Sequence, residues 1–200
     1  RLSGSSEHAK NERQGSNMKK VPKAAVISVI LTALVSLVGC ATAIPESERL
    51  ATVDSLDLNR YLGSWYEVAR YQHSFEKNLV GAKAEYSLRD DGRIQVVNSG
   101  LKKDLDGTLT SVKAVAWRPD ESEPGRLKVK FFGLFTSDYL VFGLDEQNYQ
   151  WALVGNDSRE FLWFLSRTPT VSDELLESMK KLAQEQGYDL EKLYLVPQKE

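Results

Sequence analysis

One cysteine and two histidines in 200 residues leave this chain short of the groups from which catalytic and metal sites are usually built. Cys40 has no partner for an internal disulfide, so the fold stands on packing alone. His8 lies in a polar leader and His73 is the other histidine. No pair of His, or of His and Cys, has metal-ligand spacing, and neither metal nor any other cofactor is expected. A Ser-His-Asp triad would have to use His73, and no Gly-x-Ser-x-Gly elbow presents a nucleophile. A Gly-rich phosphate cradle is missing too, since Gly92 and Gly107 read as turn glycines. Clustered basic charge is also lacking. The first 39 residues hold six Lys or Arg and two Asp or Glu, which leaves 20 basic and 26 acidic side chains in the remainder. Such a balance argues against nucleic acid as a partner and against adhesion to anionic lipid by charge.

What is present begins with Met18-Lys19-Lys20 and an apolar stretch from Ala24 to Val38. At about 15 residues it matches a signal h-region and falls short of the roughly 20 that a spanning helix needs. Extension to Ile44 through Thr42 and Ala43 would make a retained anchor helix, the competing reading. The run closes on Leu37-Val38-Gly39-Cys40, which resembles a bacterial lipoprotein signal and its lipobox. That resemblance implies cleavage before Cys40, a diacylglycerol on its sulfur and an acyl chain on its amine. Residues 1–17 then form an upstream extension with no place in the fold, 18–39 the signal peptide, 40–55 a lipidated N-terminus and linker, and 56–200 a single domain.

In that domain short alternating segments recur at 65–71, 82–88, 93–99, 108–117, 126–132, 139–144, 149–154 and 161–166. Turn-rich stretches such as Asp90-Asp91-Gly92, Asp104-Leu105-Asp106-Gly107 and Gly155-Asn156-Asp157 separate them. This punctuation predicts hairpins and antiparallel neighbours. An all-β up-and-down barrel or a sandwich follows. One helix comes after: Ser172 is an N-cap, Asp173 and Glu174 fill its first turn, and Gly187 stops it. Leu175, Leu176, Met179, Leu182 and Ala183 form the stripe that buries it against the outside of the sheet. Leu58 to Leu62 reads as a helical turn, and 193–196 as a short last strand.

Gly63-Ser64-Trp65-Tyr66-Glu67 is similar to the Gly-x-Trp signature of the lipocalins. Thr136-Ser137-Asp138-Tyr139 resembles that family's second motif, on a loop leading to the sixth strand. Arg167, after Leu162-Trp163-Phe164-Leu165-Ser166, matches the arginine of the third. In this order, with eight-strand spacing and one following helix, the domain resembles the lipocalins of the calycin superfamily, and among them the bacterial outer-membrane lipoproteins. The resemblance implies an eight-stranded antiparallel barrel with the C-terminal α-helix packed outside. It also implies that Gly63, Trp65 and Arg167 lock one end, with the guanidinium on the indole face.

Alternation then nominates a lining. Ala84, Tyr86, Val96, Asn98, Ala116, Val129, Phe131, Tyr139, Trp151 and Trp163 are the expected ligand-binding residues, with few ionisable groups among them. Ile94, Ala114, Leu127, Val141, Tyr149, Leu153 and Leu165 share their faces. Apolar walls with small residues suit an acyl chain, and the resemblance implies fatty acids or lysophospholipids. The reading is a non-enzymatic carrier tethered through Cys40 to the periplasmic face of the outer membrane. Ala41, where Asp would signal inner-membrane retention, favours the outer membrane. A barrel filled by its own side chains, and a lipocalin-type isomerase using Glu67, His73 or a tyrosine, are the competitors. His73 reads as an exposed loop residue, and Glu67 as a structural partner of backbone or Arg167. Phe131-Phe132-Gly133-Leu134-Phe135 reads first as core packing over a barrel end, and second as an apolar lip for a bilayer or a partner subunit, hence a homodimer.

Overall fold

The computed structural model describes residues 44–199. The upstream extension, the signal segment and Cys40 lie outside the described residues. Among the described residues nine strands are formed: β1 (Gly63–Tyr71), β2 (Leu79–Leu88), β3 (Ile94–Lys102), β4 (Leu109–Trp117), β5 (Arg126–Phe131), β6 (Phe135–Leu144), β7 (Trp151–Gly155), β8 (Leu162–Ser166) and β9 (Leu193–Leu195). Each of β1 to β7 pairs antiparallel with the next, and β8 pairs with β1, which closes an eight-stranded cylinder. β9 adds to the outer stretch of β1, with Ala69, Arg70 and Tyr71 opposite Leu195, Tyr194 and Leu193.

The helix α1 (Asp173–Glu185) starts where Ser172 Oγ accepts from the Leu175 N–H at 3.2 Å. It ends just before Gly187, whose φ of +87° few other residues adopt. Met179 and Ala183 are fully buried against an outer core that includes Leu50, Ala69, Leu153, Phe164 and Tyr188. A separate inner core fills part of the cylinder, with Tyr61, Trp65, Ala116, Val141 and Ala152 among its members. Residues 44–200 form one compact unit. It holds both cores and every strand pairing of the described residues, so the packing of the barrel is contained within it.

Two local irregularities change the predicted faces. Between Glu67 and Ala69 the register of β1 against β8 shifts. Val68 and Ala69 both join the outer core, while Glu67 and Arg70 both turn inward opposite Leu165 and Trp163. Such a bulge places an extra residue on one strand and resets alternation beyond it. At Tyr149 the backbone is left-handed, with φ +56°, and β7 proper begins only at Trp151. Ala152 and Val154 therefore face in, whereas Trp151 and Leu153 pack outside near α1. The inward assignment of Trp151 is thus corrected, and with it that of Leu153. The second motif is corrected as well. Thr136 to Tyr139 lie within β6, because Phe131 pairs directly with Phe135 and the turn between them is tight.

Candidate ligand cavity

One end of the cylinder is sealed by Arg167. Its guanidinium carbon stands 3.8 Å from the Trp65 ring centroid. Its nitrogens donate to the carbonyls of Arg60 (2.7 Å), Ser64 (2.9 Å) and Tyr149 (3.1 Å). The stretch 60–65 and Tyr149 are thereby tied to the end of β8 by one side chain. Gly63 has φ +94°, and a Cβ there would approach Arg167 Nη1 to 3.3 Å, so a larger residue would be strained and would crowd the lock. Trp65 is fully buried and gives its indole N–H to the Tyr61 carbonyl at 2.8 Å.

Above this seal three phenols form a chain. Tyr139 Oη lies 2.8 Å from Tyr61 Oη and 2.9 Å from Tyr86 Oη. Burial holds all three hydroxyls well above the ordinary tyrosine value, so they stay protonated and serve as neutral hydrogen-bonding groups.

Over this floor lies a cavity of about 430 Å³. Ala84, Tyr86, Val96, Asn98, Val129, Phe131, Tyr139 and Trp163 border it, together with Leu79, Ala82, Thr110, Ser111, Val112, Val154, Phe161 and Leu165. Ala116 is buried in the inner core and is not among the residues bordering the hollow, and Trp151 is outside the barrel. The volume falls in the roughly 300–1,000 Å³ range of small-molecule sites, and apolar side chains with a few polar groups are their usual lining. Its mouth is framed by the loops 72–78, 103–108, 132–134 and 156–161, opposite the Trp65–Arg167 seal.

The wall near the mouth carries a charged group that alternation hid. Arg70 is fully buried, and Glu67 and Glu76 nearly so. Arg70 donates to Glu67 Oε2 at 3.0 Å and to the carbonyls of Glu76 (2.8 Å) and Leu79 (2.7 Å). Its Nε stands 3.5 Å from Glu76 Oε2, which also accepts from the Trp163 indole at 3.2 Å. The arginine thus pins the 72–78 loop to the barrel. One guanidinium does not offset two buried carboxylates. Burial raises the Glu67 carboxyl, with Arg70 opposing. Burial, then the neighbouring Glu67, pushes Glu76 up to about 8. The pair therefore retains a proton near neutrality.

Glu67 partners Arg70 and not Arg167, which corrects one alternative of the sequence reading. His73 is corrected too: it is half-buried, 4.3 Å from Phe161 between ring centroids and 5.5 Å from Phe75. Burial, then the charge of Arg70, lowers its pKa. The expectation of few inward ionisable groups missed Arg70 and Glu76. Their signal was weak, since Arg70 stands at the wrong parity to Glu67 until the bulge is known, and Glu76 lies in a loop.

A closed β-cylinder, locked at one end by arginine on tryptophan and hollow toward the other, defines the class as a calycin-type binding barrel. The profile of the lipocalin-like domain matches residues 56–198. The chain belongs to the lipocalin family. It is 43% identical over 164 residues to the outer membrane lipoprotein Blc of Vibrio cholerae, covering 82% of this chain and 94% of that protein. It is 41% identical over 167 residues to the protein of the same name in Escherichia coli K12, covering 84% and 93%. Mouse apolipoprotein D is 36% identical over 149 residues, covering 70% and 76%. Among solved structures, insecticyanin from the tobacco hornworm aligns with a TM-score of 0.61 at 19% identity, covering 76% of this chain and 85% of that one. At that identity the likeness speaks for the fold alone.

Proposed function

We propose that this protein carries a single-chain acyl lipid in its barrel while tethered by acylated Cys40 to the periplasmic face of the outer membrane. The observation that carries the reading is the apolar hollow of about 430 Å³ above the tyrosine floor, open at one end. Burial of an acyl chain gives about 0.8 kcal/mol per methylene, so about ten methylenes supply up to about 8 kcal/mol. Before the cost of association this corresponds to micromolar affinity. The hollow is at odds with a barrel filled by its own side chains.

No Lys or Arg borders the hollow, and Arg70 is spent on Glu67 and two carbonyls. A fatty acid's carboxylate finds no counter-ion there, so a lysophospholipid whose head stays in the mouth is the better fit of the two. Two relatives named outer membrane lipoproteins, together with the lipobox at Cys40, support the location. Among the described residues no helix is long and apolar enough to cross a membrane, and acyl chains on Cys40 would hold the protein without one.

The test is a titration of residues 44–200 with a fluorescent fatty acid, followed by displacement with lysophospholipid and mass spectrometry of lipid extracted from the purified protein. Saturable micromolar binding, and stronger displacement by lysophospholipid than by free fatty acid, are expected. A folded barrel that shows no saturable binding and yields no co-purified lipid would remove the carrier reading.

A further inference from the structure

Large apolar side chains left exposed are concentrated at the mouth. Among the described residues, Phe75 (62% exposed), Leu109 (67%), Phe132 (72%), Leu134 (77%) and Phe135 (70%) all stand on mouth loops or the strand ends beside them. Phe132, Leu134 and Phe135 form the tip joining β5 to β6. The Leu134 N–H closes that turn on the Phe131 carbonyl at 3.0 Å, with φ +51° at Phe132 and +69° at Gly133. The core-packing reading of this segment therefore holds for Phe131, which packs against the inner core, and fails for the exposed Phe132, Leu134 and Phe135. Contiguous apolar surface of this kind marks a contact site.

Charge on the same rim identifies the partner. Lys77, Lys102, Lys103 and Lys130 are exposed, and none takes part in an ion pair among the described residues. Asp104, Asp106, Asp138 and Glu160 are the exposed or partly exposed acids at this end; Asp106 is engaged by Lys199 and Asp138 by Lys128. The fold thus brings to one end lysines that are scattered along the sequence. Apolar tips ringed by free lysines match a lipid surface, whose acyl boundary takes the former and whose anionic heads take the latter. Continuity with the cavity points the same way, since Phe75 and Phe132 are exposed and also border the hollow. The described chain starts between a mouth loop and the turn joining β4 to β5: Arg159 donates to the Glu48 carbonyl, the Leu50 N–H to Asp157, and Arg49 to Glu123. Cys40 precedes Glu48 by eight residues, at most about 28 Å of extended chain, so an anchor there and this rim can engage one bilayer.

We infer that the mouth is a membrane-docking face, with the β5–β6 tip entering the interfacial layer of an anionic bilayer and lipid passing between bilayer and cavity without crossing water. The docking face stands apart from the identity of the cargo. Residues 44–200, which lack the anchor, are to be floated with vesicles of phosphatidylethanolamine and phosphatidylglycerol (3:1) and with phosphatidylcholine vesicles. The parent is expected to float with the anionic vesicles, at least threefold less with the neutral ones, and at least tenfold less as the Leu134→Ser/Phe135→Ser double variant. Neither residue borders the hollow, so the double variant keeps the parent's urea midpoint and its affinity for fluorescent fatty acid in solution. Lys102→Glu/Lys103→Glu should weaken flotation on the anionic vesicles alone. Absence of flotation by the parent, or equal flotation of the Ser double variant, overturns the inference. So does a parent that sediments as a dimer and a Ser double variant that is monomeric, because the tip would then be a contact between two copies. Failure of fatty-acid binding with flotation intact removes the carrier reading and leaves the docking face supported.

Discussion

At the scale of single residues, two arginines do opposite jobs on the same barrel. Arg167 seals: a cation–π contact of about 0.5–2 kcal/mol and three charge-assisted bonds to carbonyls converge on one guanidinium. Arg167→Ala is expected to lower stability by about 2–4 kcal/mol, read from the urea midpoint. The fraction that remains folded should bind acyl lipid within twofold of the parent, because the cavity lies beyond the tyrosine floor. Arg167→Lys keeps the charge and loses the planar fork, so it recovers only part of the loss. Arg70, in contrast, sits beside more negative charge than it offsets. Glu76, raised from an ordinary value of 4.5 to about 8, holds a proton in the folded state that the unfolded chain has released. Its contribution is complete below pH 4.5 and declines as pH rises to and through 8. Glu76→Gln should flatten that decline by on the order of 4 kcal/mol between pH 5 and 8.5, measured as the difference between parent and variant urea titrations. His73, whose pKa is lowered, acts in the other sense, losing stability as pH falls, and cancels in that difference. Identical pH slopes for the two proteins would show that Glu76 is ionised throughout.

At the scale of elements, the order of eight strands and one helix was legible because turn chemistry and period-2 alternation agree from Trp65 to Ser166. Ser172 and Gly187 marked the helix for equally local reasons, and Met179 and Ala183 face the barrel as their spacing requires. What could not be read was any change of phase inside a strand. The bulge at Val68–Ala69 and the left-handed Tyr149 leave no distinctive residue behind, since neither uses glycine or proline, yet each reverses every assignment beyond it. Trp151 was misplaced by the second, and the Glu67–Arg70 pair was hidden by the first. Exposure of the β5–β6 tip is likewise a property of the packed molecule, because Phe-Phe-Gly-Leu-Phe alone fits a covered core equally well. Helix and cavity belong to different cores, which separates their consequences. Met179→Ala removes a fully buried side chain from the outer core and is expected to cost about 2–4 kcal/mol. Acyl-lipid affinity per folded molecule should stay within twofold, and a tenfold loss at equal folded fraction would mean that α1 supports the cavity wall.

At the scale of the whole molecule, the barrel divides its interior between a packed lower half and an open upper one, and this division separates a carrier from a solid scaffold. Two substitutions of the same kind can tell the halves apart. Val141 is fully buried in the inner core. Val141→Trp forces an indole into space already filled to interior density, which costs at least about 1–3 kcal/mol and lowers the urea midpoint. Val112 is half-buried and borders the hollow, with Asn98 across the β3–β4 ladder. Val112→Trp meets no packed neighbour in that direction and gains apolar contact, so its midpoint is expected to equal or exceed the parent's. The same indole occupies volume that a ligand chain would use, and binding of fluorescent fatty acid should fall at least tenfold. Opposite effects from one change of side chain cannot arise in a uniformly filled barrel, where both substitutions destabilise and neither has cargo to displace. A destabilised Val112→Trp, or one that binds acyl lipid as the parent does, would place the ligand elsewhere.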